Sequence, residues 1–262
     1  MKARISIIQF RPELADPAKN IGNLDNRMDE AKGSQLIVLP ELSNSGYNFT
    51  DASQALSVAE TLDGQGAYQR FIADKAKKLN AFIVSGICEK DGNDLYNSAI
   101  LSGPAGIIGS YRKMHLFMNE KDIFRPGNSA LQVFEAGGLK IGMMICFDYL
   151  FPEPWGILAR HGADIICHPS NLLTGNPHKC MPGLALMNRI YIATANRIGT
   201  EGSLTFNGKS FFTDPAGNVP VIASPDQEEI ICLDINTDIS SDKMITQRNH
   251  VFTDRRPEMY AG

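Results

Sequence analysis

Three reactive side chains in this sequence each follow a short apolar, strand-like stretch: Glu41, Lys113 and Cys146. The stretches are residues 36–40, 109–112 and 141–145. Functional residues are common at strand ends. A thiol has a pKa of ~8.5, so at neutral pH it needs either a nearby positive charge or a base that takes its proton. An ammonium and a carboxylate can supply those two functions, so the set indicates nucleophilic catalysis by cysteine.

Strand-like and helix-like segments alternate along the chain that must position these residues. Residues 3–10 and 35–39 are predicted strands, and the helix between them, within 17–33, is capped by Asp16. A turn at 102–106 joins strands 97–101 and 107–111 into a hairpin. Further strands are predicted at 81–87, 131–134, 139–147, 163–168, 191–196, 209–213, 219–223 and 229–235, and further helices at 68–79, 152–161 and 182–189. Because hairpins require antiparallel neighbours, the pattern predicts an α/β domain with two layers of mixed sheet faced by helices.

The composition favours a globular protein that acts on a small molecule. The 262 residues are 43% hydrophobic and 21% charged, with a formal charge of -4. This balance predicts one domain and gives no electrostatic reason to expect nucleic acid or an anionic membrane as partner. No apolar run approaches the ~20 residues needed to span a bilayer. A small neutral or weakly charged ligand fits better.

Five cysteines without a CxxC pair predict neither a disulfide framework nor a zinc site. They favour a reducing, cytoplasmic location. Cys88, Cys167 and Cys232 lie inside apolar runs, where a thiol is expected to be a small buried hydrophobe. The five histidines show no HxxxH spacing, so no metal and no cofactor are expected.

Several motifs resemble those of the nitrilase superfamily of carbon–nitrogen hydrolases. They are LPEL (39–42) with GY (46–47), YRKMHL (111–116), ICFD (145–148) with FPE (151–153), GAD (162–164) and HPSN (168–171). The resemblance spans nearly the whole chain. It implies an α-β-β-α sandwich, usually dimerised so that the layers continue across the interface. It also implies that Glu41, Lys113 and Cys146 form a Glu-Lys-Cys catalytic set.

The resemblance implies a fourth catalytic residue as well. Members of the family often have a second glutamate after the lysine block and before a Pro-Gly turn, and Glu120 occupies that place ahead of FRPG (124–127). We expect Glu120 to orient Lys113 or the substrate. Four residues in or beside the matching blocks are candidates for the substrate pocket, with ordinary packing as the alternative: Tyr47, Phe147, Tyr149 and Asn171.

These residue types fit the hydrolysis of a small carboxamide. The Cys146 thiolate would attack the carbonyl carbon, and Lys113 with the backbone N–H of Phe147 would hold the oxyanion. Glu41 would pass the thiol proton to the departing ammonia or amine and then activate the water that cleaves the thioester. Three alternatives stay open: a nitrilase that forms a thioimidate, an N-carbamoyl amine or amino-acid hydrolase, and a catalytically silent scaffold.

A papain-like Cys/His mechanism is the chemical rival. We expect Cys146 to end a strand rather than open a helix, which argues against that mechanism. His115 lies in the lysine block and His168 lies where a strand meets a loop, so each is expected to make a structural hydrogen bond.

The C-terminal tail, residues 249–262, is expected to contact a partner subunit in a homodimer. It is too short to form its own core, so Phe252 is predicted to pack across the neighbouring subunit while Arg255 and Arg256 meet acidic groups. The alternative is a tail that folds back on its own subunit.

Overall fold

The computed structural model describes residues 1–260, which form two six-stranded mixed sheets, two small hairpins and the helices that cover the sheets. The strands are β1 Lys2–Gln9, β2 Leu36–Val38, β3 Phe82–Asp91, β4 Asp94–Gly103, β5 Gly106–Arg112, β6 Val133–Ala136, β7 Leu139–Met143, β8 Ile165–Pro169, β9 Tyr191–Ala195, β10 Ile198–Glu201, β11 Leu204–Asn207, β12 Phe211–Thr213, β13 Val221–Ile222, β14 Glu229–Asn236, β15 Met244–Thr246 and β16 Asn249–His250. The helices are α1 Pro17–Glu30, α2 Ala52–Leu56, α3 Ala67–Leu79, α4 Glu120–Ile123, α5 Pro152–Arg160, α6 Asn176–Asn188 and α7 Thr237–Ser241, with 3₁₀ helices at Cys146–Leu150 and Pro257–Met259.

The two sheets share one layout. Their strand orders are β14-β1-β2-β3-β4-β5 and β13-β12-β9-β8-β7-β6. In each sheet three neighbouring strands are parallel, β1-β2-β3 and β9-β8-β7, and the flanking strands pair antiparallel. Carboxyl ends of parallel strands meet at one edge of a sheet, so the loops after β2, β7 and β8 are positioned to meet.

Apolar side chains of both sheets form the central layer. Ile5 and Val38 of the first sheet belong to the same buried cluster as Ile141 and Ile165 of the second. The outer face of the first sheet is covered by α1 and α3, which contribute Leu24, Tyr68 and Ile72 to a second cluster, whereas Trp155 of α5 and Met181 of α6 pack on the second sheet. Each such side chain contributes about 1.5–3 kcal/mol when fully buried. The predicted α-β-β-α sandwich is therefore confirmed.

The residues that predicted the start and end of the first helix and the turn of the hairpin have the expected conformations. Asp16 caps α1 by accepting a hydrogen bond from Lys19 N at 3.0 Å, and Pro17 occupies the first turn. Gly33 follows the helix with φ +92°, a conformation that glycine adopts without strain. Strands β4 and β5 pair antiparallel around a short turn, as the turn-forming residues predict.

Two of the element boundaries that were predicted wrongly have a clear physical reason. The strand expected over 139–147 ends at Met143, because the chain turns into a 3₁₀ helix at Cys146. The helix expected from residue 182 begins at Asn176, and Pro182 lies inside it. Burial of Met181 and Leu184 on the core outweighs the hydrogen bond that this proline cannot donate.

The prediction for Cys232 was also wrong, whereas Cys88 and Cys167 are buried as expected. Strand β14 lies at the sheet edge, and its side chains alternate between the core and solvent. Ile231 therefore points inward and Cys232 is exposed.

The described part of the tail, residues 249–260, follows the β15-β16 hairpin. Phe252 is half-buried against the central cluster of its own chain, with the Lys243 ammonium 5.4 Å from its ring centre. Tyr260 remains 61% exposed. Within the described residues no helix is long and apolar enough to cross a membrane.

Candidate active site

One buried ammonium joins two buried carboxylates. Lys113 Nζ lies 2.7 Å from Glu41 Oε1 and 2.6 Å from Glu120 Oε1. The three side chains are 0%, 0% and 3% exposed in that order. Such groups lose their hydration when the chain folds, so each depends on the others for charge compensation.

Glu41 is held in the loop after β2. Glycine is required at position 86 of β3, because a Cβ atom there would lie 2.5 Å from Glu41 Cα. Asn97 Nδ2 in β4 donates to Glu41 Oε1 at 2.7 Å, and Asn171 Nδ2 in the loop after β8 donates to the Glu41 carbonyl at 3.1 Å. Both sheets therefore fix this carboxylate.

Lys113 and Glu120 are positioned by the chain that follows β5. Lys113 N donates to Asn97 O at 2.8 Å, and Gly127 N donates to Lys113 O at 2.8 Å. Glu120 opens α4, and its Oε2 accepts a hydrogen bond from Phe117 N at 3.0 Å. One oxygen of Glu120 thus binds the backbone and the other binds the ammonium.

Cys146 has a strained backbone conformation, with φ +43°. A non-glycine residue in this region costs of order 1–3 kcal/mol unless its surroundings impose it. The Asp148 carboxylate imposes it, because it accepts hydrogen bonds from Ile145 N at 2.9 Å, His115 N at 3.1 Å and the Tyr111 hydroxyl at 2.8 Å. Our expectation that Cys146 ends a strand is therefore wrong: it opens the 3₁₀ helix.

The two histidines near Cys146 make structural hydrogen bonds, as predicted. His168 Nε2 donates to the Cys146 carbonyl oxygen at 2.8 Å, and His115 Nδ1 lies 2.7 Å from Asp148 Oδ1. Burial lowers the pKa of His168 to about 4, so its imidazole is neutral at pH 7. Because the Nε2–H of His168 is bound to a carbonyl oxygen, His168 cannot act as the base of Cys146. The papain-like mechanism therefore loses its support, even though Cys146 does open a helix.

A cavity of about 260 Å³ opens at Cys146. Phe147, Tyr149 and Asn171 line this cavity. Tyr47 does not: it lines a separate cavity of about 80 Å³, together with Glu120. Three of the four predicted pocket residues therefore share a wall with the thiol.

Three buried oxygens around the cluster have no hydrogen-bond partner within the described residues: Glu41 Oε2, Asn97 Oδ1 and Asn171 Oδ1. Buried polar atoms are usually paired, so unpaired ones mark a functional site or a place for water or ligand. Glu41 Oε2 is therefore a hydrogen-bond acceptor that the fold itself does not use.

Comparison with known proteins identifies the family of the chain and matches its fold to solved structures. The carbon-nitrogen hydrolase family model matches residues 4–243. The chain belongs to this family. It is 41% identical over 259 residues to a nitrilase of Pyrococcus abyssi, covering 98% of both chains. It is 30% identical to an N-carbamoylputrescine amidase of Solanum lycopersicum, covering 94% of this chain and 89% of that one. A solved amidase of Nesterenkonia, of the nitrilase superfamily, has a TM-score of 0.81 at 25% identity, covering 98% and 95%.

Electrostatics in this carbon-nitrogen hydrolase favour a protonated resting thiol. Burial raises the pKa of Cys146 well above its ordinary value, and the Glu41 carboxylate raises it further, while the Lys113 ammonium acts in the opposite direction. A thiol in this state needs a base at the moment of attack.

Glu41 has the proton affinity that such a base needs. Burial raises its pKa to about 6, against the opposing effect of Lys113. Burial alone would lower the pKa of Lys113, but the charges of Glu120 and Glu41 hold it above its ordinary value. At pH 7 the site thus combines an ammonium with a carboxylate that is mostly ionised and has a raised proton affinity, as a base requires.

Several residues that build the hydrolase site were not found from the sequence. Asn97 and Gly86 lie inside strands, and Asp148 was read only as part of a motif. Their functions depend on contacts with distant segments, for which a single sequence carries no signal. Within residues 1–260 no group of three or more His, Cys, Asp or Glu side chains is arranged to hold a metal ion.

Proposed function

We propose that this protein hydrolyses a small carboxamide to a carboxylate and ammonia, with Cys146 as nucleophile. The observation that carries the proposal is the buried Lys113 ammonium, bound by Glu41 and Glu120, together with Asn171, which lines the Cys146 cavity and donates to the Glu41 carbonyl. Amidases among the relatives support this class of substrate.

In the proposed reaction Glu41 takes the Cys146 proton as sulfur attacks the carbonyl carbon. Lys113 and the Phe147 N–H stabilise the oxyanion, and Glu120 keeps Lys113 in place. The carbon–nitrogen bond breaks as Glu41 gives the proton to the leaving nitrogen, which releases ammonia and leaves a thioester. Water then attacks the thioester, Glu41 accepts a proton from the water, and the acid leaves as sulfur is reprotonated.

The second candidate function is nitrile hydrolysis, favoured by the 41% identical relative named a nitrilase. The same thiolate would add to the nitrile carbon to give a thioimidate, and two waters would yield the acid and ammonia. N-carbamoyl hydrolysis follows from the Solanum relative in the same way. The complete Glu-Lys-Cys set argues against a silent scaffold.

Replacing the nucleophile tests the proposal. Cys146→Ala should abolish ammonia release from amides, nitriles and N-carbamoyl compounds while the protein stays folded. Intact mass spectra with a slow substrate should show an acyl adduct on wild type. The exposed Cys232 supplies the matched control, so Cys232→Ala should keep both adduct and turnover. Wild-type turnover in Cys146→Ala would contradict the assignment.

We also propose a homodimer stabilised by the tail in a cytoplasmic protein. Support comes from two large side chains of the tail that are exposed in the single chain and that a partner would cover. Met259 is 66% exposed and Tyr260 is 61% exposed. The free state of all five cysteines is compatible with a reducing compartment. Light scattering should give a dimer for the intact chain and a weaker dimer for a chain ending before Val251. A monomeric intact chain would refute the proposal.

A further inference from the structure

We propose that the Cys146 cavity selects substrates whose side chain is uncharged and largely apolar. The inference rests on the hydrolase function proposed above and narrows it to a substrate class. The apolar part of the cavity wall is formed by six side chains: Phe117, Phe147, Tyr149, Leu150, Leu172 and Leu173. The polar part consists of neutral groups apart from the thiol, namely Asn171, Thr174 and Asn176.

The charge of the lining decides between substrate classes. Among residues 1–260, none of those that line the cavity is Lys, Arg, His, Asp or Glu. The charged groups Glu41, Lys113 and Glu120 are not part of this lining, and they already bind one another. A second carboxylate or an ammonium on the substrate would lose its hydration in this cavity without gaining an ionic partner, which is unfavourable. A hydrocarbon chain would lose only unfavourable contact with water.

The aromatic part of the wall is a connected block rather than a set of mobile side chains. Phe147 packs on Phe117 at 4.9 Å, on Tyr149 at 6.3 Å and on Phe151 at 5.6 Å between ring centres. The His115 ring stacks on Phe151 at 3.7 Å, and His115 is itself anchored by Asp148. A wall held in this way offers little freedom to admit a charged group by rearrangement.

Amides of matched length test the selectivity. We would compare pentanamide with succinamate and 4-aminobutanamide, measuring kcat/KM from ammonia release. The neutral amide should be favoured at least ~10-fold over either charged one, because only the charged groups must be desolvated without a partner. Equal or higher kcat/KM for a charged amide would overturn the selectivity but leave the hydrolase function standing. Absence of ammonia from all three amides and from pentanenitrile would instead contradict the proposed function, and the selectivity with it.

A charge placed in the wall should change the preference. Leu150 lines the cavity and is 52% exposed, so Leu150→Arg should fold. We expect this variant to raise the succinamate to pentanamide ratio of kcat/KM by ~10-fold, the size of one favourable ionic contact in a partly dry site. The matched control is Leu56→Arg, at a site 48% exposed and outside the cavity lining. A ratio that is unchanged in Leu150→Arg, or raised equally in both variants, would contradict the proposal.

Discussion

Two clusters of buried charge in this molecule differ in how completely their hydrogen bonds are satisfied. Arg197 directly precedes β10 and pairs with Glu201 at the end of that strand. Both side chains are at most 5% exposed. Arg197 also donates to Ile198 O at 3.2 Å and Pro12 O at 2.9 Å. Both oxygens of Glu201 are occupied, since Oε2 accepts from Tyr47 N at 3.0 Å and Asn48 N at 2.7 Å.

The Glu41–Lys113–Glu120 cluster is equally buried but incomplete, because Glu41 Oε2 and the nearby Asn97 Oδ1 and Asn171 Oδ1 lack partners. A saturated buried pair, in which each carboxylate oxygen already has a hydrogen-bond partner, fixes the chain and leaves no unpartnered oxygen for chemistry. An unsaturated one keeps an acceptor available for a proton. The difference supports a structural role for the Arg197 pair and the catalytic role that we propose for the Lys113 cluster.

Breaking the saturated pair should cost the most free energy, and the cost should appear in stability. Glu201→Ala leaves the Arg197 guanidinium buried without its carboxylate, so we expect the free energy of unfolding to fall by about 3–5 kcal/mol. Urea denaturation measures it, and the folded fraction should keep most of its turnover. Asp234→Ala, which removes a solvent-exposed partner of Arg4, should cost at most ~1 kcal/mol. Equal effects of the two changes would remove the distinction.

Removing the ammonium of the Glu41–Lys113–Glu120 cluster should instead affect turnover. Lys113→Met keeps the apolar stem and removes the charge that stabilises the oxyanion, so kcat should fall at least ~100-fold, or ~2.7 kcal/mol. The two carboxylates can take up protons, so the variant should remain folded.

Another buried lysine provides the control for that variant. Lys75 in α3 is 4% exposed and binds Asp25 at 2.7 Å and Asp29 at 2.8 Å, far along the chain from the cavity lining. Lys75→Met should lower the melting temperature and leave kcat near wild type. Unchanged kinetics in Lys113→Met, or a comparable loss of kcat in Lys75→Met, would show that burial rather than position explains the effect.

The sequence revealed much of the catalytic cluster and little of the saturated pair, for a physical reason. Glu41, Lys113 and Cys146 follow recognisable apolar stretches, and the motifs in which they stand resemble those of the family, so the sequence could indicate them as one set. The β10-β11 hairpin was not predicted, because strands of four residues give too short an alternation to detect. Contacts such as Glu201 to Tyr47 join segments 154 residues apart and leave no local pattern.

The turn at Cys146 illustrates the same limit. The apolar run through Ile145 predicts a strand, and the periodicity contains nothing that ends it at Met143. The end is imposed by the Asp148 carboxylate, which binds Ile145 N and draws Cys146 into the left-handed region. That carboxylate also accepts hydrogen bonds from the Tyr111 hydroxyl and from His115 N, which lie 37 and 33 residues earlier in the chain. Contacts with a distant segment therefore help to set the geometry of the residue on which the proposed chemistry depends.

The pH dependence of kcat/KM, measured for wild type and Glu120→Gln, tests most directly whether Glu41 is the proton acceptor. Because the raised pKa of Glu41 is about 6, kcat/KM should fall as pH drops through 6 and the carboxylate takes up its proton. The Glu120 charge contributes to that elevation, so Glu120→Gln should move the inflection to lower pH. A wild-type profile that is flat from pH 5 to 8, or an inflection that rises in Glu120→Gln, would contradict the account.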